Sequence, residues 1–382
     1  MDARSDWYGD LSFQLDVWRC RLLRQTLHGS VARRLFQDRA LRLGILCSVS
    51  MGLALILAGL APLFMLALGP ICYGLPHLVS SVRYLPLRAR MHPIQLKPRF
   101  YLSMACLLVG LAALRLATLH VEASPGDSLW TLLLQDNRPE LMMSLACLAF
   151  MAPLLRCHTP RQLAKLAGPF VAFTFVSLVY PAYVLGALLL GHHFIAFVYW
   201  RLACRNRREQ RIAELGLALF TAAHVLIFLG YLDALGAWAV SHGWQPFAAL
   251  SLDDVASSLE PWALSPRLWR HALTAYAFGQ SVHYIVWLRA IPEQHLLRPS
   301  PVTWRQSLGL LRRDFGKSGA HLALTACLGL GAAWLLAWSL GHFTAARTTY
   351  FCLASGHGYL ELAGLLVFWA SKGTRVAKAE VA

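Results

Sequence analysis

From position 43 to position 370 the chain is a succession of apolar runs, separated by short polar or proline-containing breaks. A helix rises about 1.5 Å per residue, so roughly 20 residues cross a hydrocarbon layer about 30 Å thick. Runs of about that length or more lie near 43–61, 63–84, 100–120, 182–203, 213–240, 269–289, 319–341 and 348–370. Two shorter runs, 140–156 and 166–180, read as tilted or re-entrant. Pro62 separates the first two runs and Tyr180-Pro181 divides the 163–204 stretch, because proline disrupts a helix interior and is tolerated at its start. The pattern predicts an all-α, polytopic transmembrane helical bundle of about ten spans over residues 43–370. Residues 1–42 repeat Leu11, Leu15, Trp18, Leu22 and Leu23 among arginines, the pattern of an amphipathic helix lying on a membrane surface. Residues 371–382 form a polar tail.

Composition supports the same class. The chain is 57% hydrophobic and 14% charged, against about 25% charged in soluble domains. The formal net charge of +16 invites a nucleic-acid reading, but the placement of the charges argues otherwise. With the N-terminus inside, 30 of the 35 Lys and Arg residues fall on inner segments, as the positive-inside rule requires. The expectation is therefore both termini cytoplasmic, an integral protein of a bacterial inner membrane, lipid as its surroundings and no nucleic-acid partner. None of the nine cysteines forms a CxxC pair. They are expected to act as small apolar fillers, not as a disulfide framework or zinc ribbon.

The candidate chemistry lies in the fifteen histidines. His28, His92, His158, His295 and His321 fall in or beside inner segments and His120, His242 and His342 near outer ends; all are expected to be solvated. His77, His192, His193, His224, His283 and His357 fall inside five different spans. Counted at 1.5 Å per residue they stand about 9–20 Å from the inner boundary, a common depth at which their rings can converge. His77, His193 and His283 each precede a boundary arginine (Arg83, Arg201, Arg289) by a similar interval. Neutral imidazole suits iron, copper, zinc and nickel, and helical bundles build metal sites from side chains on facing helices. His77, His193, His283 and His357 are the first candidates as metal ligands, with His192 and His224 as further ones. His192 and His193 are about 100° apart around one helix, so one of the two is expected to point inward. Glu361 follows His357 by four residues and shares its helix face; it can ligate the metal or orient a ligand. Tyr284 and Tyr359, beside His283 and His357, join Glu361 as candidate catalytic residues. Hydrogen-bonding histidines that pack helices together are the plainer alternative.

Gly74-Leu75-Pro76-His77, followed by histidines in later spans, resembles the Gly-x-Pro-His motif of the Brp/Blh-type membrane β-carotene cleavage enzymes. The match is firm over four residues. That resemblance implies a polytopic fold and intramembrane histidines, His77 among them, holding iron for oxidative cleavage of a polyene. The chain departs from the family where an acidic residue ordinarily follows the Pro-His: Leu78-Val79-Ser80-Ser81 stands there instead. Fatty-acid desaturase boxes, a Walker A loop and a HExxH helix are all missing. The expectation is a metal-dependent membrane oxidoreductase, with iron or another transition metal, O2 and a lipophilic substrate. A proton-coupled transporter and a bis-histidine haem protein are the other readings these residues allow.

Overall fold

In the computed structural model the described residues are 7–26, 29–85, 180–244, 265–339 and 356–366, with scattered helical positions between 106 and 179 and at 350, 354 and 369. Among them the chain is helical, with no strand. The elements are α1 (Trp7–Thr26), α2 (Gly29–Gln37), α3 (Arg39–Leu60), α4 (Pro62–Gly69), α5 (Leu75–Tyr84), α6 (Pro181–Ala203), α7 (Arg207–Phe228), α8 (Asp233–Ser241), α9 (Pro266–Ile285), α10 (Ile291–Gln294) and α11 (Trp304–Ser339), then the helical segment 356–366. The expected runs at 100–120 and 140–156, and most of 166–180, lie outside the described residues apart from scattered positions, as do the outer loops and the tail 371–382.

Among the described residues, three helices are long and apolar enough to cross a membrane: Arg39–Leu60, Arg207–Phe228 and Trp304–Leu336. Their surfaces bear out that character. On α3, Leu43, Cys47, Met51, Ala54 and Ala58 face the core at helical spacing, while Ile45, Val49, Leu53 and Ile56 are exposed on another face. A helix apolar on every side suits hydrocarbon, not water.

Local chemistry sets the helix starts. The side chains of Asp38, Asn206 and Ser265 accept from the N–H groups of Leu41, Glu209 and Leu268 at 3.0, 2.9 and 3.3 Å, each satisfying a donor that the first turn leaves open. Tyr180 ends the preceding segment and Pro181 opens α6, where its missing N–H costs nothing.

One expected span is broken. The run 213–240 is not one helix: Gly230 takes φ 82° and separates α7 from α8, while Tyr231 N–H bonds back to Leu226 O at 3.1 Å. This left-handed termination is hidden by the apolar residues that continue on both sides. Gly316, at φ 76° and ψ 168°, likewise bends α11. The expected span 63–84 contains a π-helical turn at Pro70–Gly74, and span 269–289 runs into another at Val286–Ala290. Pro70 lacks the N–H a regular ladder needs. At the second turn, Ser80 Oγ donates to Trp287 O at 2.6 Å.

α9 is the central helix: it packs against α3, α4, α6 and α7, and Ala275, Tyr276, Ala277 and Phe278 are buried in succession. Only a helix surrounded on every side can bury four consecutive residues. Arginine–carboxylate contacts secure one end of the bundle. Glu293, fully buried, accepts from Arg42 at 2.6 and 3.0 Å and pairs with Arg289 at 3.0 Å. Arg83 on α5 pairs with buried Asp314 on α11. Of the cysteines, Cys47 and Cys204 are buried fillers as expected, whereas Cys20, Cys72 and Cys106 are exposed. Asp314→Ala would leave the Arg83 guanidinium buried without its partner, and is expected to destabilise the fold by about 3–5 kcal/mol, read as a lowered thermal unfolding midpoint of the detergent-solubilised chain.

Candidate metal centre

The centre is assembled where α5, α6, α9 and segment 356–366 meet. His77, His192, His193, His283, His357 and Glu361 are all buried there, none more than 8% exposed. His77, His283 and His357 each offer one ring nitrogen such that all three atoms lie within 4.8 Å of one another. Their ring centroids are 5.1 Å apart for His77–His283, 4.6 Å for His77–His357 and 5.6 Å for His283–His357. Glu361 places Oε1 3.6 Å from His283 Nε2 and 3.8 Å from His357 Nε2.

Hydrogen bonds fix what these rings can do. His77 Nδ1 lies 2.6 Å from Gly74 O, and His357 Nδ1 bonds Ala354 O. A carbonyl oxygen only accepts, so both Nδ1 atoms carry the proton and both neutral rings present a lone pair at Nε2. Yet the two Nε2 atoms face each other at 3.1 Å. Two acceptors at that distance repel unless a positive charge lies between them. A shared proton would serve this pair alone. His283, whose two nitrogens have no hydrogen-bond partner among the described residues, and Glu361, whose carboxylate the Trp287 indole N–H approaches, converge on the same point. A cation with several coordination positions satisfies all four groups together, and backbone-tethered imidazoles are the usual form of metal-ligating histidine. The donor set therefore fits a transition-metal ion.

The other expected residues fall nearby. Both His192 and His193 point inward, contrary to the expectation of one: their centroids are 4.1 Å apart, and each ring contacts His283, at 4.9 and 5.3 Å. α7 and α9 flank α6, so directions 100° apart both meet protein. His193 lies outside the tight group of three. His224 stands among Phe194, Phe220 and Phe278, with ring centroids 5.1, 4.3 and 5.3 Å away. The Tyr284 ring is 4.6 Å from His77, and its hydroxyl meets Gln280 Nε2 and Tyr350 OH, both at 2.5 Å. Tyr359 is buried in the apolar core. The backbone carbonyl of Glu361 accepts from Tyr199 OH at 3.0 Å.

Three features escaped the sequence reading. His271, unassigned by depth, is buried and bonds Asp233 at 2.9 Å. Tyr350 pairs with Tyr284 across 66 residues, and a long-range pair of this kind leaves no local signal. His295 and His321, expected to be solvated, are partly buried: His295 lies 4.8 Å from the Tyr84 ring, and His321 contacts Tyr8 and Arg312.

Comparison with known protein families, with curated proteins and with solved structures returns no match for this chain.

Gly74 shows how tightly the wall of the site is built. A Cβ there would stand 2.6 Å from the Tyr350 ring and 2.8 Å from its hydroxyl. Gly74→Ala is expected to displace Tyr350 from Tyr284 at a cost of about 1–3 kcal/mol, measured as a fall in thermal stability alongside a change in the tyrosine ultraviolet spectrum.

Proposed function

We propose that the protein is an integral membrane protein of about ten spans with both termini cytoplasmic, and that it works as a metal-dependent oxidoreductase. Its histidine centre holds a transition metal, with iron as the first assignment. Its substrates are O2 and a lipophilic molecule such as a carotenoid or another isoprenoid lipid. One observation carries the reading: three imidazoles from three separate elements present nitrogens within 4.8 Å of one another, with two of them facing each other lone pair to lone pair.

Bound at these nitrogens, iron would supply the electron transfers that allow O2 to react with a lipid. The chain's own residues do the rest. Gly74 O and Ala354 O hold His77 and His357 in one tautomer and orientation. Glu361 brings the one carboxylate of the cluster and offsets part of the ion's charge. Tyr284 keeps a phenolic proton beside His77, shared with Tyr350 and braced by Gln280. The fully buried Trp287, whose ring lies 6.4 Å from that of His283, and Tyr199 beside it at 5.3 Å exclude water from that side. A lipophilic substrate is favoured because α3 and α7, which pack around α9, expose Ile, Val and Leu, so a molecule dissolved in the bilayer reaches the bundle without desolvation.

The resemblance of Gly74–His77 to the Brp/Blh-type motif supports this substrate class. A haem is less well supported. The Nε2 atoms of His77 and His357 stand only 3.1 Å apart, and a third imidazole nitrogen lies within 4.8 Å of both, which leaves no room for a macrocycle between them.

The test uses the full chain purified in detergent from iron-supplemented cells. The native protein is expected to carry iron without a Soret band and to consume O2 when β-carotene is the probe substrate. His77→Ala, His283→Ala and His357→Ala are each expected to lose at least one equivalent of iron per chain and to abolish that uptake. Full iron content in all three variants would contradict the assignment.

A further inference from the structure

The N-terminal helix α1 docks on α11 through one face only. Tyr8, Ser12, Asp16 and Arg19, at steps of three and four, are its less exposed positions. Tyr8 OH meets Thr325 Oγ1 at 2.9 Å. Asp16 accepts from the N–H groups of Trp304 and Arg305 at 2.9 and 3.1 Å, donors that the first turn of α11 leaves open. Trp7, Leu11, Leu15, Trp18 and Leu22, again at steps of three and four, are all exposed. Five large apolar side chains in one exposed stripe call for a partner other than water. In an integral membrane protein, such a stripe suits the boundary between headgroups and acyl chains.

Beside the stripe, the C-terminal half of α1 and the start of α11 line an open groove of about 790 Å3. Arg19, Arg21, Arg24 and Arg305 line it against one carboxylate, Asp16. Asp16 is already engaged by the two N–H groups of α11, and Arg19 stands 3.7 Å from it. Arg21 and Arg24 are exposed and have no ion-pair partner among the described residues. The Arg305 guanidinium lies 5.6 Å from the Phe13 ring, with no carboxylate beside it among the described residues. The groove therefore keeps an excess of guanidinium groups, whose planar fork of donors matches phosphate oxygens.

Its position fits the headgroup layer. Arg19 donates to Val302 O at 2.7 Å, and Arg289 reaches the same carbonyl at 3.4 Å, so the groove lies at the arginine end of the bundle. Trp18 and Trp304 are both exposed around it, and tryptophan gathers at the membrane–water boundary. Arg21 follows Trp18 by three residues, which makes the two neighbours on the helix surface. Arg21 thus joins the groove to the apolar stripe.

We propose that this groove binds an anionic glycerophospholipid of the surrounding bilayer. Arg21, Arg24 and Arg305 hold its phosphate, and its acyl chains lie over Trp18 and Leu22. A phosphatidylcholine headgroup carries a cation of its own, which the arginines repel. The proposal rests on the membrane reading and is independent of the metal centre.

The full chain in detergent is titrated with phosphatidylglycerol or with phosphatidylcholine, and bound lipid is counted by native mass spectrometry. The native chain is expected to retain phosphatidylglycerol in preference to phosphatidylcholine. Arg21→Gln/Arg24→Gln is expected to bind phosphatidylglycerol about 30-fold more weakly, at the usual strength of an arginine near an anionic surface. Arg33→Gln/Arg34→Gln removes the same charge from exposed positions on α2 and is expected to bind as the native chain does. All four arginines are exposed, so unchanged helical circular dichroism is expected of both variants. Equal retention of the two lipids by the native chain, or equal affinity of the two double variants, overturns the site. Displacement of phosphatidylglycerol by an equal concentration of inorganic phosphate shows that the groove takes a free anion and overturns the lipid assignment. Iron content does not enter this measurement, so its outcome is separate from that of the metal centre.

Discussion

The structure turns on lone pairs brought face to face within an apolar bundle. His77 and His357 each donate an Nδ1–H hydrogen bond to the carbonyl of the residue three positions earlier, so their Nε2 atoms meet as two acceptors at 3.1 Å. Glu361 approaches the same point, as does His283, whose ring nitrogens have no hydrogen-bond partner among the described residues. Burial of polar groups is unfavourable unless something compensates it, and these four groups share one common remedy, a cation.

Several devices enforce the convergence. α9 lies at the centre of the bundle and carries His283 with protein on every side. π-helical turns adjoin both His77 and His283, and such turns re-aim side chains within an otherwise continuous helix. Small residues permit the close approaches: Gly74 admits Tyr350 and Gly279 admits His193. Toward the end of the bundle that carries Arg42, Arg83 and Arg289, the polar groups change role. Carboxylates at Glu293 and Asp314 pair these arginines and tie helices distant in sequence to one another. The bundle is thus held by ion pairs at one end, and its apolar middle is left to the histidines.

Much of this was legible in the sequence, for identifiable reasons. The lengths of the apolar runs and the Pro62 and Pro181 breaks are local properties, and they locate α3, α4 and α6 to within a few residues. The common depth of His77, His193 and His283 follows from counting residues to a boundary arginine, so the meeting of rings at one level was foreseeable. The remainder depends on relations that run across the chain. Gly230 breaks a run that stays apolar on both sides of it. The inward pointing of both His192 and His193 follows from α6 being flanked on two sides, which its own sequence does not record. Arg83 finds Asp314 231 residues away, and Tyr284 finds Tyr350 only because Gly74 leaves room. His271 looks like any helix-end histidine until Asp233 is seen beside it.

The most direct test is X-ray absorption at the iron edge of the purified, iron-loaded chain. Three or more nitrogen scatterers at about 2.0–2.2 Å, with the outer-shell pattern of imidazole rings, is the result expected of this centre. A first shell of oxygen or sulfur alone, without imidazole scattering beyond it, would show that the iron sits elsewhere and that these histidines gather around nothing.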